Sequence, residues 1–292
     1  MRVTDRERAQ DRLETGVATE TAVFDAAFRL VHDRYVARGY MTPARSRRRL
    51  SVFHALPTTK VFVLRRRRHV VGTLSLIRDS RLGLPMDEIY RAELDDLRAA
   101  GHALAEVSSL ALASRGRAGG LSGLMRLIRT MVVYAAEVAR LDYLCIAVNP
   151  RHRGFYGKHC GFQPLGPTRR YAKVNGAPAV GLRLDLEAFR RRTLPLPRPV
   201  ADFMFAAPAR EQILAALDRE LPWSVLTPDQ FRRFFEDGEA FASAEPWAVR
   251  MVSRLYARGF PAATAMPAPR TADVGAGWHE RATQPDAGDT RR

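Results

Sequence analysis

Glu106 has the strongest claim to chemistry in this sequence, because it is the one acidic residue in the apolar run 104–113. Desolvation raises the proton affinity of a carboxylate in such surroundings, which suits a general base that takes a proton from an attacking amine. A positioned base contributes about 10² to 10⁴ in rate, so Glu106→Gln is expected to leave residual activity. The alternative is that Glu106 only forms an ion pair with an arginine.

Other polar residues are weaker candidates. His152 follows a predicted strand and opens a predicted helix, where it could act as a base, although a lone histidine there is more often structural. Asp25, Asp33 and Ser108 have lesser claims. Cys145 and Cys160 have neither paired spacing nor nearby histidines, so the sequence predicts two buried thiols and no metal site.

Hydrophobic spacing predicts the elements that would position these residues. Residues 21–38 read as an amphipathic helix ended by Gly39, and residues 59–77 as a hairpin that turns near 67–69. A surface helix over 88–101 then precedes the strand of Glu106. The glycine-rich segment 115–123 leads into a long helix, which is followed by a strand over 142–148.

A short helix over 151–162 then closes on Gly161, and residues 162–165 and 179–186 supply late strands. This order predicts a mixed α/β (α+β) domain with one central sheet flanked by helices. We assign residues 1–20 to an N-terminal arm, 21–190 to this domain and 191–262 to a helical extension, with helices over 209–220, 228–237 and 247–258. Residues 263–292 have almost nothing to bury and are predicted to be disordered.

The formal charge of +16 comes from 47 basic and 31 acidic residues, and only Lys60, Lys158 and Lys173 are lysines. An acidic partner and a merely solvated arginine-rich surface both explain this excess. No helix-turn-helix, zinc finger or basic–aromatic pattern is present, so no nucleic acid is expected. The longest apolar run falls short of the roughly 20 residues of a membrane span, and the charged N-terminus does not read as a signal peptide. A cytoplasmic protein is expected.

Two motifs resemble GNAT acyltransferases. RGFYGKHCGF resembles the signature in which a helix with a tyrosine ends at a Gly-Phe pair, and RGRAGG resembles a degenerate pyrophosphate loop that opens a helix. In that loop Arg115, Arg117 and Gly119 would contact the donor. The spacing departs from the coenzyme A-binding pattern, which makes a coenzyme A donor less expected.

A more specific resemblance covers FRLVHDRYVARGYM, LAEVSSLAL and VNPRHRGFYGKHCGFQPLG. These segments resemble the long-chain N-acyl amino acid synthases of the FeeM type, which are similar to acyl-homoserine-lactone synthases. The resemblance implies transfer of a fatty acyl group from acyl carrier protein to an amino acid amine, without a tightly bound cofactor. The alternatives are a coenzyme A-dependent small-acyl GNAT, a lactone synthase and a non-catalytic module that binds carrier proteins.

The same resemblance implies roles for further residues. Tyr156 would protonate the departing thiolate, although a tyrosine that only packs on the sheet is equally consistent with the sequence. Arg29 and Tyr35 would line the acceptor or acyl pocket, the alternative for Arg29 being a solvated helix face. Backbone N–H groups would polarise the thioester carbonyl, and those residues are Val107, Ser108 and Leu110.

Overall fold

The computed structural model describes residues 13–113, 120–236, 239–242 and 244–257. Arg115, Arg117 and Gly119 therefore lie outside the described residues, as does the predicted tail 263–292. No helix within the described ranges is long and apolar enough to cross a membrane.

One seven-stranded sheet forms the centre of the fold, in the order β1-β2-β3-β4-β5-β7-β6. The strands are β1 (Leu13–Val17), β2 (Lys60–Arg66), β3 (His69–Arg78), β4 (Leu104–Leu112), β5 (Tyr143–Val148), β6 (Gln163–Tyr171) and β7 (Ala177–Asp185). Neighbouring strands are antiparallel except β4 and β5, which are parallel. The predicted mixed α/β domain is confirmed.

Helices cover both faces of the sheet. They are α1 (Thr21–Val36), α2 (Asp87–Ala99), α3 (Gly120–Val133), α4 (Arg153–Cys160), α5 (Leu186–Arg190), α6 (Arg198–Phe205), α7 (Ala207–Glu220), α8 (Pro228–Phe231) and α9 (Pro246–Ala257). Side chains of β2 alternate between the faces, as a strand requires. Phe62 and Leu64 join the core beneath α3 and α7, whereas Val61 and Val63 join the core beneath α1 and α9.

The helix and hairpin predictions for the first third of the chain are confirmed within two or three residues. Helix α1 ends at Val36, and Gly39 follows with a φ of 71°, a left-handed conformation that glycine adopts without strain. The hairpin turns between Arg66 and His69, as the charged centre of the segment indicates.

Two strands differ from the sequence prediction. Residues 13–17, which we assigned to an arm, form β1 and pair with β2 at the edge of the sheet. Strand β6 continues to Tyr171 rather than ending at Leu165. Pro164 and Pro167 interrupt its pattern, but β6 is the other edge strand and its pairing shifts register twice near these residues. Prolines are tolerated there because an edge strand leaves some backbone N–H groups unpaired.

The C-terminal extension packs directly on the sheet domain. Helices over the predicted ranges are present, and the short helix α6 adds to them. The Glu220 carboxylate accepts a hydrogen bond from Val17 N at 2.7 Å and pairs with Arg65 at 3.1 Å, which fixes α7 to the edge strand. Phe234 packs edge-on against Phe28 of α1 at 5.4 Å, so the extension covers that helix.

Candidate active site

Strands β4 and β5 separate at Glu106. Their parallel pairing runs from Leu104 opposite Tyr143 to Glu106 opposite Cys145 and ends there, although both strands continue. Backbone groups of β4 beyond Glu106 that would face β5 therefore have no partner on that strand. The gap places unpaired strand backbone, including the predicted stretch from Val107 to Leu110, beside a carboxylate.

A β-bulge accompanies this separation. Between Thr73 and Ser75 the pairing of β3 with β4 shifts by one residue, and the extra residue lies in β4. Ser109 in the bulge has a φ of 55°, which is uncommon for a residue other than glycine. The bulge turns β4 at the point where its backbone leaves β5.

Glu106 is 3% exposed. Its Oε2 accepts a hydrogen bond from Met86 N at 2.7 Å, and within the described residues no arginine forms an ion pair with it. The described part of the structure therefore does not contain the alternative, a simple ion pair between Glu106 and an arginine. Burial raises the pKa of Glu106 to about 8, opposed by the Met86 N–H and by the Lys173 ammonium, while Asp87 raises it further.

Three tyrosines interact with this carboxylate or with one another. The Glu106 charge raises the pKa of Tyr35 and of Tyr171, in both cases after burial as the main cause. Burial also holds the pKa of Tyr156 above its usual range, with smaller contributions from Cys160 and Tyr35. All three phenols thus keep their protons at neutral pH and act as hydrogen-bond donors. Tyr35 connects Glu106 with Tyr156, since it interacts electrostatically with both of them.

Two cations complete the cluster. The Arg49 guanidinium carbon lies 4.4 Å from the centre of the Tyr35 ring, and Arg49 Nη2 donates to the Lys173 carbonyl at 3.1 Å. Lys173 Nζ donates to the Pro85 carbonyl at 2.7 Å and lies 3.4 Å from Glu88 Oε2. We refer to Glu106, Tyr35, Tyr171, Arg49 and Lys173 as the Glu106 cluster.

The wall of the cluster is the segment that leads into α2. The Pro85 carbonyl accepts a hydrogen bond from the Tyr171 hydroxyl at 2.9 Å as well as from Lys173. Asp87, one residue beyond Met86, pairs with Arg98 at 2.8 Å, and Arg98 also pairs with Asp79 and Asp95. These contacts hold the Met86 N–H that orients Glu106.

Some predicted residues lie elsewhere. Arg29 pairs with Asp25 at 2.7 Å, and the Arg29 side chain is 42% exposed. This agrees with the alternative in which Arg29 lies on a solvated helix face. Asp25 also accepts a hydrogen bond from Arg48 at 2.5 Å, so this carboxylate pairs with both arginines. His152 Nε2 accepts from Arg151 at 3.1 Å, and burial followed by two arginines lowers its pKa. No contact joins His152 to Glu106 within the described residues.

The remaining side chains agree with minor roles. Cys145 and Cys160 are free and buried, as predicted. Burial, followed by the Glu106 charge, raises the pKa of Cys145 to about 12, so its thiol is not a nucleophile at neutral pH. Asp33 contacts His32 on the exposed side of α1. No group of three or more potential metal ligands occurs in the part of the chain that the structure describes.

Sequence reasoning missed three members of the cluster, namely Arg49, Tyr171 and Lys173. Arg49 belongs to a run of arginines and looks like surface charge, whereas Tyr171 and Lys173 follow a strand that the prolines hide. One signal was present, because Lys173 is one of only three lysines among 47 basic residues.

The arrangement suits acid–base catalysis of attack on a carbonyl carbon. A carboxylate with a pKa near 8 can take a proton from an amine near neutral pH. Backbone N–H groups beside it can stabilise an oxyanion, and buried phenols can protonate a leaving group.

Comparison with known proteins places the chain in a family. The family model described as N-acyl amino acid synthase FeeM matches residues 26–185, more than half of the chain. The structure of FeeM, an N-acyl amino acid synthase from uncultured soil microbes, is 33% identical with a TM-score of 0.54, and the match covers 63% of this chain and 95% of that one.

Two further solved structures are less similar. The acyl-homoserine-lactone synthase LasI is 16% identical with a TM-score of 0.48, over 63% of this chain and 95% of that one. An N-acetyltransferase from Staphylococcus aureus Mu50 is 16% identical with a TM-score of 0.43, over 60% and 99%. No curated protein matches the chain. From the family match, the chain belongs to the FeeM family of N-acyl amino acid synthases and is an N-acyltransferase with a GNAT-like fold.

Proposed function

We propose that this N-acyltransferase moves a fatty acyl group from the phosphopantetheine thioester of acyl carrier protein to the amine of an amino acid. The observation that carries the proposal is Glu106, a buried carboxylate with a pKa of about 8 at the end of the β4–β5 pairing. The acceptor class is supported by the family match, since the matched relative is an N-acyl amino acid synthase.

The reaction forms one C–N bond and breaks one C–S bond. The amine attacks the thioester carbonyl while Glu106 takes its proton, and N–H groups between Val107 and Leu110 stabilise the oxyanion, each by about 10² to 10³ in rate. The C–S bond then breaks, and Tyr156 gives a proton to the departing sulfur. The proton gained by Glu106 balances the one that Tyr156 loses.

The pKa of Glu106 matches this task. A carboxylate with a pKa of about 8 is closer in proton affinity to an amine than an ordinary carboxylate is, so proton transfer from the attacking nitrogen to Glu106 costs less. A carboxylate at its usual pKa near 4.5 would be a much weaker base. Burial is therefore what makes this side chain useful.

Charge near the cluster supports an acidic donor protein. Four exposed arginines lie close in sequence to Tyr35, Arg49 or the start of α4, and we call them the arginine rim: Arg38, Arg47, Arg151 and Arg153. The rim adjoins the cluster because Arg151 contacts the Tyr40 hydroxyl at 3.3 Å, and the Tyr40 ring packs on Tyr35 at 5.7 Å. Complementary charge mainly increases the association rate and suppresses wrong partners.

The donor can be tested by supplying long-chain acyl carrier protein, long-chain acyl-coenzyme A and acetyl-coenzyme A with a mixture of amino acids. Mass spectrometry of the products is expected to show fatty acyl amides, formed fastest from the carrier protein. Turnover of acetyl-coenzyme A alone would contradict the proposal and favour a small-acyl GNAT. Consumption of S-adenosylmethionine in a parallel reaction to which it is added would indicate a lactone synthase, and carrier binding without transfer would indicate a non-catalytic module.

Charge reversal in the rim tests the carrier more sharply. Arg153→Glu should raise the KM for acyl carrier protein by about three- to ten-fold and leave the KM for long-chain acyl-coenzyme A within about two-fold. The matched control is Arg191→Glu, whose side chain is exposed beside Glu187 and lies outside the rim. Equal effects of both substitutions would argue against specific docking.

A further inference from the structure

We infer that Arg49 binds the carboxylate of the acceptor and so selects amines that carry a carboxylate next to the nitrogen. The inference rests on the proposed function and adds to it the residue that recognises the acceptor. It replaces Arg29, which is held by Asp25, in that role.

The fold holds Arg49 in one place. Its backbone N–H donates to the Phe28 carbonyl of α1 at 3.1 Å, and its Nη2 donates to the Lys173 carbonyl beyond β6. The guanidinium lies over the Tyr35 ring at 4.4 Å. The planar fork of an arginine binds a carboxylate by two hydrogen bonds when two of its N–H groups can face the carboxylate.

The guanidinium has an unused donor. Besides the hydrogen bonds of this side chain to the Lys173 carbonyl and to the Tyr35 side chain, Arg49 Nε is buried and has no acceptor, and within the described residues no carboxylate pairs with Arg49. Burying a donor without an acceptor is costly unless a ligand supplies one. By contrast, the neighbouring Arg48 pairs with Asp25, and Arg98 pairs with three aspartates.

A buried Nε without an acceptor also occurs at Arg65 and Arg129. Arg65, however, pairs with Glu220, while Arg129 stacks on Phe203 at 4.1 Å and donates to its carbonyl. Both arginines thus fasten the C-terminal extension to the domain. Arg49 differs because its neighbours belong to the Glu106 cluster.

Arg49 and Glu106 act electrostatically on the same two tyrosines, Tyr35 and Tyr171. The Arg49 charge lowers the pKa of Tyr35 and of Tyr171, whereas the Glu106 charge raises both. An α-amino acid, in which one carbon separates the amine from the carboxylate, is the acceptor that suits a base and a cation acting on the same two tyrosines.

The second cation has less capacity for a ligand. Lys173 Nζ already contacts the Pro85 carbonyl and the Glu88 carboxylate. Its charge nevertheless adds to that of Arg49, so a second ammonium group on a polyamine acceptor would meet repulsion there. Selection for amino acids thus combines an attractive contact with a repulsive one.

The test is a competition between amino acids and their carboxamides. Wild-type enzyme and Arg49→Gln receive long-chain acyl carrier protein with an equimolar mixture of the twenty amino acids and the matching carboxamides, and products are counted by mass spectrometry. The acid-to-amide product ratio should fall by about 10- to 100-fold in Arg49→Gln, the loss expected for a charge-assisted pair. Differences in amine basicity cancel when the two enzymes are compared.

Controls separate selection from stability and donor binding. Arg49→Lys keeps the charge but loses the planar guanidinium, so it should recover part of the acid-to-amide ratio. If Arg49→Gln does not fold, the ratio measured for Arg49→Lys tests the inference instead. Arg191→Gln, an exposed arginine outside the rim that pairs with Glu187 at 2.7 Å, should keep the wild-type ratio. The KM for acyl carrier protein should be unchanged in Arg49→Gln. A rise in this KM without a change in the acid-to-amide ratio would assign Arg49 to the donor phosphate and overturn the inference.

The outcomes distinguish this inference from the proposed function. Acylation of both sets with an unchanged ratio in folded Arg49→Gln overturns the inference alone. No acylation of either set by the wild type overturns the proposed function, and the inference fails with it.

Discussion

Two arginines, Arg98 and Arg49, differ in how their charge is balanced. Arg98 pairs with Asp79, Asp87 and Asp95 at 2.6 to 2.8 Å, so its charge is neutralised within the chain. Arg49, in the Glu106 cluster, pairs with no carboxylate of the described residues and leaves Nε without an acceptor. The difference shows that this chain can neutralise a buried arginine where the fold requires it and does not do so beside Glu106.

The carboxylates show the same contrast. Asp87 is 6% exposed and held by Arg98, whereas Glu106 is 3% exposed and, among the residues that the structure describes, is held by the backbone N–H of Met86 without an arginine. One carboxylate stabilises the start of α2, and the other keeps a raised pKa. Groups left unbalanced in a folded protein cost stability, so they mark the place where a substrate supplies the missing partner.

The largest expected effect is the loss of transfer on removing the unpaired carboxylate. Glu106→Gln keeps an oxygen that can accept from Met86 N but cannot take a proton. The value of kcat/KM should fall by about 10² to 10⁴, measured by release of free thiol from the acyl donor. Wild-type rates in Glu106→Gln would make the contrast between the two carboxylates irrelevant to catalysis.

Removal of the balanced arginine should instead cost stability. Arg98→Met leaves three aspartates without their cation, so the free energy of unfolding should fall by about 3 kcal/mol in urea titrations. The control is Arg29→Met, whose ion pair is largely exposed and should contribute less than about 0.5 kcal/mol. Similar losses from both would remove the distinction between a partly buried network and a surface pair.

Glu106→Gln should stabilise the protein in a pH-dependent way. The folded pKa of about 8 lies above the unfolded value of 4.5, so the unfolded state binds fewer protons between these values and stability falls as pH rises through that range. The variant lacks this loss and should be more stable by roughly 3 kcal/mol at neutral pH, measured by thermal unfolding across pH.

Glu93 provides the control of opposite sign. Its hydrogen bond to Arg169 lowers its pKa, so its contribution is present above the unfolded pKa and lost as pH falls through the lower folded value. Glu93→Gln should therefore lower stability at neutral pH. A gain in stability at neutral pH from both substitutions would contradict the assignment of a raised pKa to Glu106 alone.

A smaller effect is expected at Tyr156. Tyr156→Phe removes the proton offered to the leaving sulfur, but a thiol with a pKa of about 8.5 leaves readily as a thiolate. We expect kcat to fall about ten-fold with pantetheine thioesters. Thioesters of more acidic thiols should narrow the gap between the two enzymes, whereas a constant gap would indicate that Tyr156 only packs on Phe162, 5.7 Å away.

The sequence predicts those parts of the site that depend on local pattern. Glu106 is visible because it is the only charge in an apolar strand, and the α4 helix is visible because glycine ends it at Gly161 with a φ of 77°. The separation of β4 from β5 is not visible, because it depends on how far two strands pair rather than on either strand alone.

Arg49 illustrates the other limit. Its partner Lys173 is 124 residues away along the chain, and nothing in the run RSRRR separates Arg49 from Arg48, which pairs with Asp25. Strand β1 is missed for a similar reason, since LETGV is short and gains its order from pairing with β2 and from Glu220. Local patterns indicate elements, whereas contacts distant in sequence decide which side chains share a site.

The most direct test of Glu106 as the catalytic base is the ratio of kcat/KM for wild type to that for Glu106→Gln, measured from about pH 6 to about pH 10 with one acyl donor and one amine. Ionisation of the substrate cancels in this ratio. The ratio should rise with pH and level off above the Glu106 pKa of about 8, at a plateau of about 10² to 10⁴. A ratio near one that does not change with pH would contradict the role of Glu106 as the base.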